Sequence, residues 1–391
     1  MYASVHTDRS GRVLISADRE AAGMGGIDPI ALTDVIPLPP GATVITLPRE
    51  AIAFDRGRRP RPLGKDRLAL AAIVPGWTRV LFPAYRDDPA APALDPLPYA
   101  AVAAAERGEL VVAATAAPSA DAVSDEIGPA PVREHPANAL SRQLARCARD
   151  HACSGARLGL GHGDLPVPLG APPAERPGAP VALRSGYAGA PTERAAFRPS
   201  ASEIVDLVAA HLERGGAGAS FGRACDGEPL ARIRVLEESV ALIRERAPRV
   251  RIHLETCGSD PAALRRVIDA GLTSVTFRIA SARAGTYELL HGPIAHRWAD
   301  VRASVQVAAE RGIALAIALL VLPGVTDRPA EIEAIAALLG ELRGGRLELR
   351  DLGADPVRVL ATLPPAHCLG IRALLDQAAE ADHFERVAAT V

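Results

Sequence analysis

The chain has 391 residues, 44 of them basic and 46 acidic, for a formal net charge of −2. That length suits two domains, or one barrel with an extension. The balanced charge supplies no field to gather nucleic acid or an acidic membrane surface. Positive charge is almost all arginine, Lys65 being the sole lysine, which we read as GC-rich coding rather than arginine-based recognition.

Residues 2–12 hold no apolar run of the kind a signal peptide needs, and the longest apolar stretch, 313–323, is too short to cross a bilayer. Five cysteines (Cys147, Cys153, Cys225, Cys257 and Cys368) are too few and too dispersed for a secreted disulfide framework. The expectation is a cytoplasmic protein with a small-molecule or protein partner and neither nucleic acid nor membrane.

Residues 1–118 read as mostly β. Short β-like runs at 34–38 and 42–47 flank Pro39-Pro40-Gly41, and runs at 68–74 and 79–82 flank Pro75-Gly76-Trp77. Runs at 99–105 and 110–115 around Glu106-Arg107-Gly108 read as a hairpin. Arg56, Arg58, Arg59 and Arg61 form a basic knot whose interleaved Pro and Gly suggest a solvated loop. Residues 119–158 form a linker and then a helix over 138–152, with Leu140, Leu144, Cys147 and Ala148 at helical spacing. On that helix Cys147 and His151 share a face, with Cys153 and His162 nearby. Buried packing explains them better than a metal site does, since no second cysteine pair closes the set.

Residues 159–391 read as a parallel α/β barrel with a C-terminal helical extension. Residues 165–169 suit a first strand, followed by a Pro- and Gly-rich excursion to about residue 199. Ser200 and Glu203 make a capping box for a helix to about 214. Strands then fall at 217–222, 251–255, 274–279, 313–321 and 346–350. Helices fall at 229–246, from Pro261 behind the cap Asp260, at 298–311 and at 329–342. This alternation means parallel strands with right-handed crossovers. Six strands suit a partial (β/α)6 barrel, with an open doubly wound sheet as the alternative. A period of two in three strands sends His253, Glu255, Arg278, Glu348 and Arg350 to the lumen. There they form either a polar ligand chamber or an ion-pair network that satisfies itself. Cys225 and Cys257 fall just past neighbouring strands and read as two buried thiols.

Four phrases carry a resemblance. They are Ser-Phe-Gly-Arg-Ala-Cys-Asp-Gly-Glu-Pro-Leu at 220–230, Leu-Glu-Thr-Cys-Gly-Ser at 254–259, Leu-Val-Leu-Pro-Gly-Val-Thr-Asp-Arg at 320–328, and Leu-Arg-Asp-Leu-Gly-Ala-Asp-Pro at 349–356. Together they resemble the barrel of radical S-adenosylmethionine (radical SAM) enzymes. Residues 1–5 and 142–147 are similar to one bacterial family of such proteins. The resemblance implies a [4Fe–4S] cluster on three thiolates in the loop after the first strand, with S-adenosylmethionine bound to the open iron and reductively cleaved. Asp226-Gly227-Glu228-Pro229 resembles the turn that holds the methionine amino group, where Gly permits close approach and a carboxylate pairs with an ammonium. Ser281, at a C-terminal strand end where ligands sit, and Arg350, in the lumen, are further candidate cofactor-binding positions.

The Cys-x3-Cys-x2-Cys triplet is absent, and residues 169–178, where it belongs, contain no cysteine. Cys257 and Arg278 also depart from the family pattern. The leading reading is therefore a cluster-less, non-radical homologue, either a binding or scaffold protein or a decayed enzyme. A second is an active radical enzyme with atypical ligands drawn from Cys147, Cys153, Cys225 and Cys257. A third is a cluster-free enzyme or S-adenosylmethionine-binding protein using the charged lumen. The position of residues 165–200 against 226–229 separates a built site from a decayed one.

Overall fold

Two sheets of opposite character, one antiparallel and one parallel, organise the chain. The computed structural model describes residues 1–74, 77–88, 90–92, 94–95, 97–115, 138–150, 163–181, 197–222, 227–342 and 345–380. The linker expected at 119–135 lies outside them, as do His151, Cys153, His162, Cys225 and Asp226.

The N-terminal region is mostly antiparallel sheet. Its centre is β1 (Ala3–Thr7), β2 (Val13–Met24), β5 (Thr43–Glu50) and β8 (Leu68–Ile73), after the short β3 (Pro29–Ala31) and β4 (Ile36–Pro37). The hairpin of β6 (Ile52–Phe54) and β7 (Pro60–Pro62) forms one edge. β9 (Thr78–Arg79) and β10 (Phe82–Pro83) precede β11 (Ala100–Ala104), β12 (Leu110–Val112) and β13 (Ala114–Thr115). β11 and β12 pair antiparallel with Ala104 opposite Leu110, the hairpin that Glu106-Arg107-Gly108 predicts. β1 and β2 are not legible as strands: β1 is short and half polar, β2 is broken by Asp18, Arg19 and Glu20, and pairing with each other, and of β1 with β8, holds them extended.

α1 (Ala139–Asp150) leads into six parallel strands in strict chain order. These are β14 (Asp164–Val167), β15 (Gly218–Phe221), β16 (Arg251–Thr256), β17 (Ser274–Ile279), β18 (Ala314–Val321) and β19 (Arg346–Asp351). Between them run α2 (Ala201–Glu213), α3 (Ile233–Arg246), α4 (Pro261–Asp269), α5 (Ala284–His291), α6 (Trp298–Glu310) and α7 (Pro329–Gly340). α8 (Pro356–Leu360) and α9 (Ile371–Glu380) follow. The helix starts obey local chemistry. Ser200 accepts from Glu203 N while the Glu203 side chain accepts from Ser200 N, and Asp260 accepts from Ala263 N with Pro261 at the first helical position. The helix read from Pro229 begins instead as a 3-10 turn, Pro229–Arg232, before α3. α5 went unread.

One core joins the two sheets. A buried cluster runs from Val80, Leu81 and Ala101 through Leu140 to Phe221, Phe277 and Leu319. A second brings Met24, Phe54 and Phe82 against Leu320, Leu322, Leu352 and Leu360. Each fully buried Leu or Phe contributes about 1.5–3 kcal/mol, so the antiparallel region is fastened to the C-terminal ends of β18 and β19. Among the described residues no helix is long and apolar enough to cross a membrane.

Candidate functional site

In parallel sheets of this kind ligands gather at the C-terminal strand ends. Here that end is occupied by the loop after β14, residues 168–181. Pro172 O accepts from Glu228 N at 2.8 Å, and Gly170 O accepts from Arg232 Nε and Nη2 at 3.2 and 3.0 Å. Arg176 N donates to Gly292 O at 2.8 Å, and Ile294 N donates to Ala174 O at 2.9 Å. The approach to Gly227 leaves no room for a side chain: a Cβ there would stand 1.9 Å from Pro172 O and 2.4 Å from Ala171 O. The loop is thus built against the Gly227-Glu228 turn and tied down on two sides.

Glu228 is buried, and both its carboxylate oxygens accept hydrogen bonds. Its Oε1 accepts from Thr256 Oγ1 at 2.5 Å and from Leu230 N at 3.2 Å, and its Oε2 accepts from Cys257 N at 2.9 Å. Pro229 is buried at the start of the 3-10 turn. Burial, and then the Glu228 charge, push the Cys257 thiol well up, so it is a poor nucleophile. Ser281 Oγ donates to Glu331 Oε2 at 2.5 Å and accepts from Arg283 N at 2.9 Å; Thr286 Oγ1 also donates to Glu331, at 2.6 Å.

The polar face of the sheet carries the residues that the period of two selects. Arg350 Nη1 donates to both oxygens of Glu255 at 3.0 Å, and its Nη2 donates to Glu348 Oε2 at 2.9 Å. Arg346 pairs with the same Glu348. Arg278 Nη1 lies 3.4 Å from Glu255 Oε1. His253 Nδ1 meets Ser274 Oγ at 2.9 Å. Glu255 on β16 therefore bonds Arg350 on β19 across two intervening strands. Burial works to raise the Glu348 carboxyl, but Arg350 and Arg346 outweigh it and hold it below its usual value.

Glu175 completes this chain from the loop, and sequence reasoning missed its role. It is 6% exposed, with Oε1 3.7 Å from Arg278 Nη2 and 3.8 Å from His291 Nδ1. His291 Nε2 accepts from Ala280 N at 2.9 Å, so the ring proton sits on Nδ1, facing the carboxylate. Burial lowers the His291 pKa and keeps the ring neutral. Burial opposes ionisation of Glu175 too, yet His291 and the Arg278 charge prevail and bring it down to about 2. Tyr287 stacks on His291 with centroids 4.1 Å apart and shares a 2.8 Å hydrogen bond with His296. The available signal for Glu175 was a lone carboxylate in a Pro-rich loop after a strand, with a buried arginine to answer.

The phrase 349–356 serves the domain junction. Arg79, wholly buried, donates from Nη2 to Leu352 O at 2.6 Å and from its backbone N to Asp351 Oδ2 at 3.2 Å. Tyr85 Oη donates to Asp355 Oδ1 at 3.1 Å. Cys147 is buried on α1 beside Gln143 Nε2, at 3.4 Å. Among the described residues no three metal-binding side chains converge.

Comparison with known proteins gives one domain match: residues 183–339 match the sequence profile described as the Radical SAM superfamily. No curated protein matches the chain. Solved structures similar to it include HydG, a maturase of the [FeFe]-hydrogenase, 14% identical over 58% of this chain and 49% of that one, with a TM-score of 0.39. Methylornithine synthase (PylB) is 10% identical over 56% and 62%, with a TM-score of 0.38. SuiB of Streptococcus suis is 11% identical over 63% and 53%, with a TM-score of 0.41. This chain covers less than two thirds of the length of each.

Proposed function

Because residues 183–339 form a domain of the radical SAM superfamily, we propose that this protein is a cluster-free, non-radical member in which protein has taken the cofactor's place, and that it works as a binding or scaffold protein. The observation that carries the reading is Glu175. The loop that would bring thiolates to the strand ends instead buries a carboxylate against Arg278 and His291.

The donor set does not fit the family's cofactors. A site-differentiated [4Fe–4S] cluster needs three thiolates in one loop, and residues 169–178 contain none. Pro172 O lies against Gly227, and three donors already share the Glu228 carboxylate, so an ammonium group would have to compete with them. On this reading Gly227, Glu228 and Pro229 anchor the closed loop, Arg350 serves the ion network and Ser281 holds Glu331, rather than binding S-adenosylmethionine. The hydrogen-bonded loop favours a maintained protein over a decayed one, since a drifting loop would not keep four backbone ties.

We further propose that the parallel sheet curls into a partial (β/α)6 barrel. The Glu255–Arg350 contact across two strands supports this, because three interstrand spacings on a flat sheet come to about 14 Å. The division at 1–118, 119–158 and 159–391 is proposed on the same footing, with a core shared across it.

Calorimetric titration of the full chain with S-adenosylmethionine tests the reading. We expect no heat of binding and no thermal shift. Saturable binding at one site per chain would overturn it.

A further inference from the structure

A second feature lies in the antiparallel region, on the hairpin of β6 and β7. Six of the chain's 44 basic residues fall within twelve positions: Arg56, Arg58, Arg59, Arg61, Lys65 and Arg67. All six are exposed, on or beside the β6–β7 hairpin at the sheet's edge. Their local acids are largely occupied. Asp66 pairs with Arg9 at 2.5 Å, and Asp55 Oδ1 accepts from the backbone N of both Gly57 and Arg59 at 2.9 Å. Among the described residues Arg56 and Arg59 meet no carboxylate, while Arg58 and Arg61 stand 3.7 Å from Glu20 and 3.8 Å from Asp55. Arg58 also holds φ at 55°, alone among the described non-glycine residues in being positive. Glycine would adopt that conformation without strain, yet an arginine stands there beside Gly57.

The strand geometry narrows the partner. Asp55 N donates to Arg59 O and Leu63 N donates to Ala51 O, so the odd positions of β7 bond inward. The outward backbone positions are Pro60 and Pro62, which have no N–H. Strand addition at this edge is blocked, and recognition falls to side chains. Arg59 and Arg61 are two residues apart on one strand face, a spacing of about 7 Å. An extended acidic segment with carboxylates at alternate residues repeats at the same interval, and guanidinium forks match carboxylates. Residues 56–67 include no aromatic ring on which a base could stack.

We propose that this hairpin docks an extended acidic segment of a partner protein, with Arg59 and Arg61 as its central contacts. The test is fluorescence polarisation on the full-length protein with a labelled peptide of alternating Glu and Thr, and with an oligothymidylate of equal charge. We expect the peptide to bind at low salt and to weaken by about 0.3 M salt. Arg59→Glu with Arg61→Glu should weaken it about tenfold or more with thermal melting unchanged, while Arg265→Glu on exposed α4 leaves it unaltered. The proposal is overturned by no peptide binding, by an equal loss with Arg265→Glu, or by tighter binding of the oligothymidylate.

Discussion

Glu175 Oε1 stands 3.7 Å from Arg278 Nη2, so a loop carboxylate and a strand guanidinium face each other, both buried. At that distance the attraction is Coulombic rather than a direct hydrogen bond, and Arg278 keeps Glu255 as a second partner. Removing one member leaves the other's charge less compensated in a dry site. Glu175→Gln should therefore cost about 2 kcal/mol, and Arg278→Met about 3 kcal/mol. The double variant should cost less than the sum, because the pair is removed together. Urea unfolding of all four proteins checks this, and strict additivity would remove the coupling.

Acid should loosen the same site. Glu175 is held down to about 2 and Glu348 below its usual value, while in the unfolded chain both titrate near 4.5. The unfolded chain takes up protons first as pH falls. The stabilisation is thus whole above pH about 4.5 and is lost towards pH about 2. Unfolding midpoints measured across this window should drop for the wild type and drop less for Glu175→Gln. A flat wild-type profile would contradict the assignment.

Gly227→Ala tests the closeness of the loop. A Cβ placed 1.9 Å from Pro172 O forces backbone apart and strains the Glu228 N to Pro172 O bond. We expect a loss of about 2 kcal/mol or more and faster proteolysis within residues 170–181. Unchanged cleavage there would show that the loop does not depend on this contact.

Arg79 fastens the antiparallel region to the end of β19. Arg79→Met removes the donor to Leu352 O and takes the guanidinium from beside Asp351, at a cost of about 3 kcal/mol. Because the two sheets share a core, the loss should lower a single thermal transition. An early, separate transition would show that the two regions unfold independently.

Much of the parallel half was legible because its signals are local. Ser200 with Glu203, and Asp260 before Pro261, announce helix starts within four residues. Alternation in 251–255, 274–279 and 346–350 correctly assigned His253, Glu255, Arg278, Glu348 and Arg350 to one polar face. What stayed hidden depends on distant pairing. Glu175 acquires meaning only from Arg278 and His291, which lie over a hundred residues further on. Arg79 gains its place only from Asp351 and Leu352. β2 is long because β1, β3, β6 and β10 all pair with it, which its charged sequence does not disclose.

The most direct measurement is iron and acid-labile sulfide per chain after anaerobic purification and reconstitution, with an electron paramagnetic resonance spectrum on reduction. A carboxylate-filled loop predicts only trace, non-stoichiometric iron and no cluster signal. Four irons per chain with a reduced-cluster signal would contradict the account outright.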